Sequence, residues 1–298
     1  MSAPANAHRD SESTADGDAI VRVENFTAEY DGTAIVKDIN LQVHRHEILV
    51  IAGQSGSGKS TLLRHIIGLE TPARGRILVE GEDLAADDEN DRRRILRKIG
   101  VTFQGGALFG SMSVIENVAL PLVMFTRLPS AITHSIALTK LQLVGLAAEA
   151  RKPPAELSGG MQKRAAIARA LALDPQILFL DEPSAGLDPF TAAELDQLIL
   201  TLRHVLNMTF VIVSHQLSSI FTIADRVILL RGDRKTIVAE GDPKTLRDSS
   251  PDPWVRAFFS GELPPGVKSA AGTPHPSGAA TGPADRNSPN TSEASHEH

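Results

Sequence analysis

Gly53-Gln54-Ser55-Gly56-Ser57-Gly58-Lys59-Ser60 decides the reading of this chain. It meets every fixed position of the pattern G-x-x-x-x-G-K-[ST]. The context is also right. The apolar run Ile48-Leu49-Val50-Ile51-Ala52 precedes it, suited to a buried parallel strand, and a helix from Ser60 to Gly68 follows. Glycines let the backbone fold tightly, so that several N–H groups point inward at phosphate oxygens. The helix N-terminus adds its dipole. The phosphate-binding set is therefore Gly53, Gln54, Ser55, Gly56, Ser57, Gly58, Lys59, Ser60 and Thr61. Lys59 is expected to reach the β and γ phosphates and the Ser60 hydroxyl to ligate Mg²⁺. A chance glycine-rich turn would not come with both strand and helix.

Such a loop needs an acidic partner for the metal. Ile177-Leu178-Phe179-Leu180 reads as a strand, and Asp181-Glu182 stand at its C-terminal edge, where α/β proteins place ligands. Asp181 is expected to hold Mg²⁺ and Glu182 to polarise an attacking water. Ile20 to Tyr30 and Ile39 to Val43 alternate as half-buried strands do, and Gly75 to Gly81 reads as another. Residues 88–175 read as mostly helical, with helical periodicity over Asp91 to Ile99 and Leu138 to Leu146. Ser158 N-caps a long helix that Asp174-Pro175 ends. Thr209 to Val213 is a further strand, after a helix over Ala192 to Leu206, and Arg226 to Glu240 reads as a hairpin turning at Gly232-Asp233.

Composition narrows the classes. The 298 residues include no cysteine, which excludes disulfides, thiolate metal sites and cysteine redox chemistry. A formal charge of −6 and 4% aromatic residues argue against nucleic acid as a partner. The N-terminus lacks an apolar signal core and no apolar run suffices for a membrane span, which predicts a cytoplasmic chain. Residues 1–17 and 261–298 read as disordered tails, and 18–260 as the folded body. The basic run Arg92 to Lys98 reads as a solvated helix face balanced by Asp87 to Asp91, and His44 and His46 as a strand end rather than a metal site.

Leu157-Ser158-Gly159-Gly160-Met161-Gln162-Lys163-Arg164 resembles the signature motif of ATP-binding cassette (ABC) ATPases, usually LSGGQ, with Met161 in place of the glutamine. Other matches follow in the family's order. Tyr30, the only tyrosine in the chain, resembles the adenine-stacking aromatic. Gln104 resembles the Q-loop glutamine, Ser184-Ala185-Gly186-Leu187-Asp188 the D-loop, and His215 the switch histidine. The resemblance implies an α/β fold: a RecA-like parallel-sheet core with an N-terminal antiparallel β subdomain and an inserted helical subdomain over about 88–175. It implies ATP and Mg²⁺ as ligands. Glu182, His215 and Gln104 are the catalytic group, Gln104 also touching the metal, and Ser158, Gly159, Gly160 and Asp188 face a nucleotide held by a second copy, head to tail. A helix opening at Ser158-Gly159-Gly160 has free N–H groups and no bulk, which suits a second anion surface.

What the ATPase drives is read from Phe103 to Leu122. That segment, with Met161 and Asp252 to Phe258, resembles the ATPases of Mla-type lipid transport systems. The implied partners are a transmembrane permease subunit, an MCE-domain lipid-binding protein and a small STAS-domain protein, at the cytoplasmic face of the inner membrane. Alternatives are an ABC ATPase for a non-lipid cargo and a soluble ABC protein. A small-molecule kinase would leave the signature motif, Tyr30 and His215 unexplained.

Overall fold

The computed structural model describes residues 18–85 and 88–262; the expected tails, 1–17 and all but the first two residues of 261–298, lie outside the described residues. The chain first builds an antiparallel sheet. Strands β1 (Ala19–Tyr30) and β2 (Thr33–His44) form a hairpin that turns at Asp31-Gly32. Strands β4 (Arg74–Val79) and β5 (Glu82–Asp83) complete it, in the order β2-β1-β4-β5. Alternation marks only the second half of β2, because its pairing with β1 slips between Val23 and Glu29. Asp38 there takes a positive φ of 53°, and such irregularities break the period of two.

The second sheet positions the site. Strands β3 (Ile48–Gly53), β6 (Ile99–Thr102), β7 (Ile177–Asp181), β8 (Thr209–Val213), β9 (Arg226–Arg231) and β10 (Thr236–Gly241) lie in the order β10-β9-β3-β8-β7-β6. All neighbours are parallel except β10 and β9, the expected hairpin. Alternate residues divide between the faces. Val50, Leu180, Phe210 and Ile212 face the helical side. Ile51, Phe179, Val211 and Val213 face the antiparallel sheet and helix α1 (Lys59–Ile66). Burial on both faces accounts for the unbroken apolar runs, each large side chain contributing about 1.5–3 kcal/mol.

Helix α2 (Glu89–Leu96) packs through Ile95 on the side of the antiparallel sheet, while α3 (Val114–Phe125), α4 (Ser130–Leu143), α5 (Gly159–Ala170) and α6 (Pro189–Leu206) cover or extend from the other, α7 (Leu217–Ile223), α8 (Pro243–Ser249) and α9 (Pro253–Ser260) closing the chain. The stretch 88–175, read as mostly helical, also contains β6, an edge strand of the parallel sheet paired with β7. One expectation needs correction. Helix α5 ends at Ala170, four residues before Asp174. The basic run is balanced by Asp91 of the expected set and by two further acids, Glu80 and Glu82. Arg94 bridges to Glu82 and Asp91, Lys98 to Glu80 and Glu82, while Arg92 and Arg97 donate to the carbonyls of Gly68 and Phe125.

Candidate active site

The parallel register brings the chemistry to one edge. Ile51 pairs with Val213, Val213 with Asp181, and Leu180 with Thr102. The strands therefore end level, and the segments leaving them carry Gly53 to Lys59, Asp181-Glu182, His215 and Gln104. Gly53, Gln54, Ser55, Gly56, Gly58, Lys59, Ser60 and Thr61 line one cavity of about 710 Å³ with Gln104, Glu182 and His215. Sequence reasoning missed two further walls, Ile35 and Phe258. Ile35 gives no signal in the sequence. Phe258 lies on α9, where Trp254 stacks on it and Arg231 covers the Trp254 ring.

Gly58 caps α1 at φ 96°, and a Cβ there would stand 2.5 Å from Val36 Cγ1. Lys59 is buried and curls back over its own loop, donating from Nζ to the carbonyls of Gly53 at 2.9 Å and Gln54 at 3.0 Å. Burial pushes its pKa down, against the pull of Glu182 and Asp181. The ammonium bonds to two carbonyls, which a stronger anionic acceptor can replace.

Glu182 sits at φ 47°, outside the usual range for a residue with a side chain, a conformation that costs of order 1–3 kcal/mol and clusters at functional sites. Its backbone N–H donates to the Val213 carbonyl at 2.9 Å. Its Oε1 lies 2.7 Å from His215 Nδ1. A carboxylate oxygen accepts, so Nδ1 is the donor of this bond and Nε2 is left facing away from Glu182. Asp181 Oδ1 is buried with no hydrogen-bond partner among the described residues, as is Ser57 Oγ. Burial pushes the Asp181 pKa up, and the Glu182 charge adds to it. An orphaned carboxylate oxygen beside an oxygen-rich loop fits a hard divalent cation. No group of three or more His, Asp or Glu converges among the described residues, so a cation here would also draw on neutral oxygen donors such as the Ser60 hydroxyl and the Gln104 amide.

A buried carboxylate oxygen with no hydrogen-bond partner is unfavourable, which gives a test. Asp181→Asn is expected to raise the melting temperature of the nucleotide-free chain by a few degrees while abolishing turnover. The raised folded pKa means the penalty on wild type is absent below the ordinary value near 3.8 and appears as pH rises through the folded pKa. The stability gap between the two proteins should therefore close in acid.

Tyr30 lies beside the cavity, close to Thr61, and the remaining expected residues stand at helix starts. Tyr30 ends β1, partly exposed, with its hydroxyl donating to Glu70, which is the main reason its pKa is raised. Ser158 caps α5, its Oγ accepting from Met161 N at 3.3 Å, and Asp188 caps α6 by accepting from Phe190 N and Thr191 N, both at 3.0 Å. These two helix starts are packed together: a Cβ on Gly160 would stand 2.4 Å from Thr191 Cγ2. Neither Ser158 to Gly160 nor Asp188 lines the phosphate cavity of the same chain.

Cavity, sheet order and paired acids define a P-loop nucleotide-hydrolysing domain. The family model described as ABC transporter matches residues 36–185. The chain belongs to the ABC transporter family, as an ATP-binding, ATP-hydrolysing subunit. It is 44% identical over 227 residues, 76% of this chain and 83% of the relative, to the intermembrane phospholipid transport system ATP-binding protein MlaF of Escherichia coli K12. It is 41% identical over 241 residues to a Mycobacterium leprae protein, mkl, named for ribonucleotide transport, covering 81% of this chain and 69% of that one. Among solved structures, cbiO1 of Clostridium perfringens, part of an ABC transporter complex, matches at a TM-score of 0.72 and 31% identity, covering 78% of this chain and 92% of that one. A dimeric ATP-binding cassette in a post-hydrolysis state with ADP and phosphate matches at 0.67 and 33%, covering 74% and 98%.

Proposed function

We propose that this chain powers phospholipid movement across a bacterial envelope, as one of two head-to-tail ATPase subunits bound to a permease. The observation that carries the partnership is an apolar surface beyond Gln104. Phe109, Val123, Met124, Phe125, Leu128 and Ile132 are exposed, Val123 and Met124 by 64% and 65%. A surface of that kind suits a protein partner. No helix among the described residues is long and apolar enough to cross a membrane. The permease is thus the proposed anchor, holding the chain at the cytoplasmic face of the inner membrane. The cargo class is supported by the likeness to the phospholipid transport protein. MCE-domain and STAS-domain proteins are the proposed further partners.

In the proposed mechanism the loop N–H groups and Lys59 hold the phosphates, and Tyr30 stacks on the base. Ser60, Asp181 and Gln104 would hold Mg²⁺, which supplies charge neutralisation on the phosphate oxygens. Glu182 accepts a proton from, and orients, the attacking water; His215, fixed by its Nδ1 bond, presents its other face to the γ-phosphate. Ser158, Gly159, Gly160 and Asp188, distant from their own cavity, close over the nucleotide of the second copy. The likeness to the ribonucleotide-named relative supports a second reading, a non-lipid cargo.

Affinity purification from detergent-solubilised native membranes separates the readings. A permease with an MCE-domain protein and bound phospholipid is the expected result. A different permease reassigns the cargo, and no membrane partner overturns the transporter reading.

A further inference from the structure

Helix α5 presents Lys163, Ala166 and Arg169 on one side, and each meets the loop leaving β6. Lys163 Nζ donates to the Gln104 carbonyl. A Cβ on Gly106 would stand 3.7 Å from the Ala166 Cβ. Arg169 donates to the carbonyls of Ala107 at 2.7 Å and Gly106 at 2.8 Å. Gly106 and Ala107 take positive φ values of 70° and 49°. Such a turn takes their carbonyls out of any strand ladder, and Arg169 satisfies them. Residues three apart are neighbours on a helix, so 163, 166 and 169 follow loop residues 104 to 107 in order.

Lys163 differs from Arg169 in what surrounds it. Asp181 and Glu182 are near enough for their charges to favour its ammonium against burial. Its partner is the backbone of a residue that lines the phosphate cavity. The same helix begins at Ser158 to Gly160. One rigid element thus connects the Gln104 backbone to the helix start proposed to face the second copy's nucleotide.

We propose that Lys163 is the positioning residue for Gln104: its ammonium seats the Gln104 backbone against α5, so that the Gln104 side chain is presented to the phosphate cavity. This rests on the reading of Gln104 as a residue of the hydrolytic site. Lys163 touches no reacting atom. Its removal should therefore affect turnover rather than binding, which the loop and Lys59 supply. Arg169 keeps its two bonds in the variant, so the turn itself should persist.

The test is steady-state ATP hydrolysis by the full chain in its membrane complex, for Lys163→Met, Lys163→Arg, Gln104→Ala and the double variant Lys163→Met with Gln104→Ala. Small misplacements of a positioned group cost up to about a hundredfold. Lys163→Met is expected to lower kcat about tenfold with KM for ATP unchanged. Lys163→Arg, which keeps a charged donor, should recover most of it. The double variant should be no slower than Gln104→Ala alone. Wild-type kcat in Lys163→Met, effects that multiply in the double variant, or no recovery in Lys163→Arg overturns the proposal while leaving Gln104 in the site. Wild-type turnover in Gln104→Ala removes the reading of Gln104 and the proposal with it.

Discussion

Glu182→Gln should bind ATP, lose turnover by about 10²–10⁴-fold, and accumulate as an ATP-bound pair of subunits. The substitution changes one group only. A glutamine carbonyl can still accept the His215 Nδ1 proton that Glu182 accepts at 2.7 Å. The backbone bond to Val213 is unaffected. What goes is the negative charge that takes a proton from water. Phosphoryl transfer depends on positioning and electrostatics, so nearly the whole effect should fall on kcat. Loss of that charge also relieves Asp181, whose pKa the Glu182 carboxylate raises. Nucleotide should then persist between two copies. Hydrolysis and size-exclusion chromatography with ATP and Mg²⁺ read both parts, and turnover within twofold of wild type would remove Glu182 from its role.

Lys59→Ala carries the second large effect, on binding. A hydrogen bond to a charged group contributes about 1.5–3 kcal/mol, so the dissociation constant for ATP should rise about 10- to 100-fold. The ammonium is already positioned and largely stripped of water, since Lys59 is buried and its burial depresses its pKa. Its two carbonyl bonds are lost as well, leaving the Gly53 and Gln54 carbonyls unpaired and the loop less fixed. Titration with a fluorescent ATP analogue measures the change. An unchanged constant would mean that the backbone N–H groups alone hold the phosphates.

The residues at the ends of β3, β7 and β8 were legible because those strands are buried on both faces. Their apolar runs stop where the chain reaches the cavity, and Asp181, Glu182 and His215 stand just there. Strand β6 was hidden. Four residues containing Gly100 follow a helical pattern, and only pairing with β7 makes them a strand. Gly100 serves a contact that no local pattern reveals, since a Cβ there would stand 2.5 Å from the Ala170 carbonyl. Phe258 and Lys163 were missed for the same reason. Each meets its neighbours only after distant segments pack. The packing of Gly160 against Thr191 is likewise tertiary, although both motifs were read separately.

The most direct measurement is ATP-driven transfer of a fluorescent phospholipid by the purified complex in proteoliposomes, with wild-type chain and with Glu182→Gln. Phospholipid transfer that requires ATP and is lost in the Glu182 variant is the predicted result. ATP hydrolysis by the intact complex with no phospholipid transfer would contradict the assignment of phospholipid as the cargo.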